Sequence, residues 1–132
     1  MIKRTIKLGL IFTSLFAGLT YFSHAEDPNA PIHSSESTRE FTVVAIEYMG
    51  TKVWVPGTLI VKKNDWVKIK LISNIKNDPN THGFAIDSYH IKTIVARGEP
   101  QNIEFKADQA GLFNIYCQLH PAHIGGQLLV LE

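Results

Sequence analysis

From Glu40 onward the apolar positions of the chain come in short bursts separated by polar and turn-forming residues, the pattern of β-strands rather than helices. Phe41 to Ile46 is rich in aromatic and β-branched residues, and Thr58 to Val61 follows a Pro56-Gly57 turn. Trp66 to Ile72 alternates, with Val67, Ile69 and Leu71 on one face and Lys68 and Lys70 on the other. Ile91 to Val95, Asn102 to Phe105, Leu112 to Cys117 and Gln127 to Leu131 complete a set of about seven strands. Breaks fall at Asn64-Asp65, Asn77 to Asn80, Arg97 to Pro100 and Gly125-Gly126. Ala107 to Ala110 reads as a turn of helix or a loop. No stretch carries a 3.6-residue period, so the expectation is an all-β Greek-key sandwich.

Two segments lie outside that domain. Lys3, Arg4 and Lys7 precede an apolar run from Leu8 to Phe22, and Ser23-His24-Ala25 leads into a polar stretch. Residues 1–25 therefore read as a signal peptide cleaved after Ala25, which implies a periplasmic or otherwise exported protein with no stable membrane insertion after processing. Residues 26–39 carry Pro, Ser and Glu with little apolar content and read as a flexible leader. The folded domain is expected over 40–132.

Of the 132 residues, 45% are hydrophobic and 19% charged, as in a folded globule. Removing residues 1–25 takes away three basic residues and no acid, turning a net +1 into −2. No basic stripe remains, so nucleic acid is not an expected partner.

The chain has a single cysteine, Cys117, and an unpaired thiol is a liability in an oxidising compartment. Phe113, Ile115 and Cys117 share the apolar face of one strand, which points the thiol inward at the strand's end. His120 and His123 follow in a loop that Pro121 keeps from continuing as a strand. His82 immediately precedes another strand and is expected at the same pole of the sandwich. Thiolate with imidazole is the ligand set of copper or zinc, whereas magnesium and calcium require oxygen donors. His82, Cys117, His120 and His123 are thus the predicted metal ligands. His90 reads as an ordinary strand residue. Met49 follows the first strand without a ligand motif, and His24 and His33 lie in the signal and the leader. No orienting Asn or Asp supports a Cys–His protease dyad, and no phosphate loop, HExxH helix or CxxC pair is present.

The runs Tyr116-Cys117-Gln118-Leu119-His120-Pro121, Gly125-Gly126-Gln127-Leu128 and His82-Gly83-Phe84 resemble the cupredoxin family over roughly 40–132. Within it, Thr58 to Lys63, Gly83 to Asp87 and the Cys-Gln-Leu-His-Pro loop are most similar to the nitrosocyanin-like red copper proteins. Those proteins carry a glutamate where this chain has His82, and a longer ligand loop. His123 falls where related members place methionine. The His82-Gly83-Phe84 run also resembles dinuclear copper domains, but their second cysteine would fall at Pro121, which excludes such a centre within one chain. The resemblance implies one copper ion per chain, one-electron carriage and a redox partner protein. Two alternatives stay open: an open-site red copper enzyme acting on a small nitrogen or oxygen species, and a copper-delivery or zinc-binding module. Oligomeric state is not legible.

Overall fold

The structure is a computed structural model that describes residues 36–132. The segments read as signal peptide (1–25) and most of the leader (26–39) lie outside the described residues. The described part is all-β, with nine strands and one short 3-10 turn. In chain order these are β1 Thr38–Tyr48, β2 Thr51–Val55, β3 Thr58–Lys62, β4 Trp66–Ser73, β5 Thr81–Ile86, the 3-10 turn Asp87–Tyr89, β6 Ile91–Ala96, β7 Gln101–Lys106, β8 Gly111–Ile115 and β9 Gly126–Leu131.

One layer has the order β2-β1-β4-β7. β1 and β2 form a hairpin through Met49 and Gly50, whose φ values of 48° and 78° give the left-handed turn that suits twisted strands. β4 lies parallel to β1, with Thr38 opposite Trp66 and Val43 opposite Leu71, and antiparallel to β7. The other layer is built from β3-β9-β8, with β3 and β9 parallel. An isolated bridge between Ala85 and Tyr116 joins the β5–β6 pair to the end of β8.

Alternation decides which side chains enter the core. On β4, Val67, Ile69 and Leu71 are buried while Trp66, Lys68 and Lys70 face out, as their sequence order predicts. Leu59 and Val61 of β3, Leu128 and Val130 of β9, Phe105 of β7 and Ile115 of β8 meet them in one cluster. β5 differs, because five of its six residues, His82 to Ile86, are buried.

Several boundaries differ from the sequence reading. β1 starts at Thr38, two residues before the expected domain start, because Thr38 and Arg39 pair with β4. β2 is an additional strand. Ala107 to Ala110 forms a loop, tied down by the Ala107 N–H donating to the Asp65 carbonyl (2.9 Å). His90 is not in a strand. It closes the 3-10 turn with φ 54°, its N–H donating to the Asp87 carbonyl, and is exposed.

Candidate metal centre

Two backbone hydrogen bonds bring the parts of the site together. The Ala85 N–H donates to the Tyr116 carbonyl (2.9 Å), and the Tyr116 N–H donates back to Ala85 (3.1 Å). This pairing sets Cys117, the next residue, beside Gly83. The Gly83 N–H then donates to the Cys117 sulfur at 3.3 Å, and the thiol is only 3% exposed. Gly83 has no room for a side chain: a Cβ there would stand 2.4 Å from Gln118 Oε1 and 3.1 Å from Cys117 Sγ. Gln118 is held in that position by its Nε2, which donates to the Thr93 carbonyl at 2.8 Å.

His82 is 1% exposed. Its ring lies flat on the Trp54 indole, with centroids 4.9 Å apart and planes 11° apart. Trp54 is fixed in turn by an Nε1–H bond to the Gly83 carbonyl (2.9 Å) and an edge contact with Phe84. Neither nitrogen of His82 has a hydrogen-bond partner among the described residues. Buried polar atoms are rarely left so. Burial, followed by the neighbouring charges of His123, Lys52 and His120, pushes this imidazole down to about 4. It is therefore neutral at pH 7, the form that binds a metal.

His123 enters from the loop after Cys117, where its N–H donates to the His120 carbonyl (3.1 Å). Its ring meets that of His82 edge-on at 5.1 Å, and its buried Nδ1 also lacks a partner among the described residues. Burial, then the charges of His120 and Lys52, lowers its pKa as well. Donor atoms of His82, Cys117 and His123 all lie within 4.8 Å of one another. Metal–sulfur bonds of about 2.3 Å and metal–nitrogen bonds of about 2.0 Å to one ion would draw these atoms roughly 1 Å closer together.

His120 stands outside this group of three. It is exposed, and its ring lies against that of His123 at a centroid distance of 4.8 Å. Met49, at the β1–β2 turn, is 87% exposed and cannot cap a buried donor set. Among the described residues no carboxylate belongs to the donor group. The donors are one sulfur and imidazole nitrogens, which fits copper or zinc and not a hard cation.

Sequence reading missed Trp54, Lys52 and Gln118. Trp54 and Lys52 belong to β2, whose alternation could have placed Trp54 inward. It gave no reason to bury Lys52.

The sunken pKa of His82 has a consequence for the metal-free chain. The unfolded imidazole takes a proton near pH 6.5, whereas the folded one resists until about pH 4. The stability this neutral ring contributes is full above pH 6.5 and is lost as pH falls toward 4, with His123 adding in the same sense. Thermal unfolding in a chelator is expected to give a lower Tm at pH 4.5 than at pH 7. A His82→Asn chain should show a shallower dependence, and an identical slope would contradict the assignment.

The Cupredoxin-like domain model matches residues 11–130, so the chain belongs to that family. It is 38% identical over 66 residues to the nitrous-oxide reductase of Cupriavidus necator, a match covering 48% of this chain and 10% of that one. The chain thus spans about a tenth of the length of the curated relatives it matches. Among solved structures it is similar to the copper nitrite reductase of Nitrosomonas europaea, with TM-score 0.58 and 20% identity, covering 72% of this chain and 42% of that one. It is also similar to the metal-binding domain of the Cu(I)-exporting P-type ATPase of Streptococcus pneumoniae, with TM-score 0.61 and 14% identity, covering 73% and 88%. These two likenesses concern the fold.

Proposed function

We propose that this is an exported protein that holds one copper ion and carries single electrons to or from a redox partner protein. The observation that carries the reading is the convergence of the one thiol with two imidazoles whose buried nitrogens lack partners among the described residues. His82, Cys117 and His123 are the proposed inner ligands, with His120 supplying the fourth donor by turning in from its place beside His123. Bound copper supplies the one-electron couple.

The protein's own part is to fix the donors. Trp54 holds the plane of His82, the Gly83 N–H stabilises the thiolate, and the buried rings keep bulk water away. Little rearrangement between oxidation states is what an electron carrier needs. A third imidazole in place of a weak thioether favours the oxidised ion and moves the colour from blue toward green or red. The likeness to nitrosocyanin-like red copper proteins rests on the Thr58 to Lys63, Gly83 to Asp87 and Cys-Gln-Leu-His-Pro runs, with His82 standing where those proteins carry glutamate. Export rests on the residue pattern of 1–25, and among the described residues no helix is long and apolar enough to cross a membrane. The nitrous-oxide reductases support only the domain assignment, given how little of their length is matched.

A second reading has one observation in its favour. Three donors cluster while His120 stays exposed, which would suit an open coordination position and an enzyme acting on a small nitrogen or oxygen species. Metal analysis with visible spectroscopy of the purified protein and its His123→Met variant separates the readings. The carrier is expected to contain one copper, to bleach with ascorbate, to recover on reoxidation and to ignore azide. The His123→Met chain is expected to turn bluer. A colourless zinc protein would overturn the proposal, an unchanged His123→Met spectrum would remove His123 from the ligand set, and perturbation by azide would favour the open site.

A further inference from the structure

Lys52 lies two residues before Trp54 on the same inward face of β2, and is only 9% exposed. Burying an ammonium is costly without a carboxylate partner, and among the described residues Lys52 forms no salt bridge. Its Nζ instead donates to two main-chain carbonyls, those of Pro79 and of Thr81, the latter at 3.1 Å. Thr81 immediately precedes His82, so this lysine is tied to the entry of the strand that carries the most buried donor. Its charge acts on both His82 and His123; the other charges acting nearby are that of His123 on His82 and that of His120 on both rings. Among the described residues no acid is one of the groups that act on either ring.

We propose that Lys52 is a fixed cation built into the site, held against the start of β5, which biases the His82, Cys117 and His123 donor set toward the monovalent ion. With one thiolate as the only anionic donor, a monovalent copper leaves the donor set neutral and a divalent one leaves it positive. A neighbouring fixed positive charge penalises the second state more than the first. Lys52 therefore raises the potential, opposing the lowering expected of a third imidazole. The same charge weakens the hold on any dication.

The inference rests on the proposed copper reading for its redox consequence but not for its test. Zinc(II) and copper affinities are measured for the wild-type, Lys52→Met and Lys52→Arg chains, together with the copper reduction potential. Lys52→Met is expected to bind zinc(II) roughly tenfold more tightly and to shift the copper(II)/copper(I) affinity ratio by a similar factor, about 59 mV downward for a one-electron couple. Lys52→Arg keeps the charge and is expected to match the wild type in both. A tether alone would act in the opposite direction, because loosening the entry to His82 weakens zinc. Zinc binding unchanged or weakened in Lys52→Met, or tightened equally in Lys52→Arg, overturns the proposal. Should Lys52→Met fail to fold, Lys52→Gln, which retains a donor for the Thr81 carbonyl, is read by the same criteria. A wild-type chain that takes zinc but no copper would defeat the electron-carrier reading and leave the charge assignment to be judged on zinc alone.

Discussion

A Cys117→Ser chain is expected to fold nearly as well as the wild type and to lose its coloured copper site. The sulfur is buried and accepts the Gly83 N–H, an acceptor role that a serine oxygen can fill, so the metal-free Tm should move little. The metal loses its only anionic donor. Binding energies of about 10–16 kcal/mol spread over three or four ligands put the loss near a thousandfold in affinity. The charge-transfer absorption that a thiolate gives to copper should vanish altogether. Competition with a chromogenic chelator and a visible spectrum check both points. Retained tight binding with retained colour would remove Cys117 from the site.

Trp54→Ala is expected to give the largest loss of stability of any single change around the site. It deletes a buried ring packed between His82 and Phe84 and leaves the Gly83 carbonyl without its donor. Truncating a buried aromatic costs about 3–5 kcal/mol. For a domain of this size that lowers Tm by roughly 20 °C, since each kcal/mol is worth about 4–8 °C. Trp54→Phe keeps an aromatic face for His82 while losing the hydrogen bond, and is expected to recover most of the stability. The two melting curves, taken without metal, test whether the indole supports the fold independently of the ion. A Tm for Trp54→Ala within a few degrees of wild type would show that it does not.

The sequence was most legible where one strand obeyed one periodicity. The alternation in β4 correctly divides Val67, Ile69 and Leu71 from Trp66, Lys68 and Lys70. Alternation carried two residues past β8 correctly turns Cys117 inward, and the expected placement of His82 at the same pole agrees with the 4.8 Å grouping of donor atoms. Fold class follows from the same patterns and agrees with the family match. Features set by partners distant in sequence were less accessible. The beginning of β1 is decided by pairing with Trp66, not by the polarity of Thr38 and Arg39. β2 stayed hidden because Lys52 interrupts its inward face, and only main-chain carbonyls contributed from elsewhere make that position tolerable. His120 was expected among the donors; its ring lies against that of His123, outside the group of three, at a position on an exposed loop that alternation along a strand does not fix. His90 leaves the expected strand because the Asp87 carbonyl captures its N–H in a left-handed turn.

The link between Gly83 and Cys117 spans 34 residues of chain. Cys117 and His123 come from one short loop, whereas His82 is brought to them only by the docking of β5 against the end of β8. The complete cradle thus comes into being at the moment of long-range closure. A chain that has not closed this distance lacks the grouping of three donors, so tight binding of an ion there would report that two far-apart stretches of sequence have met.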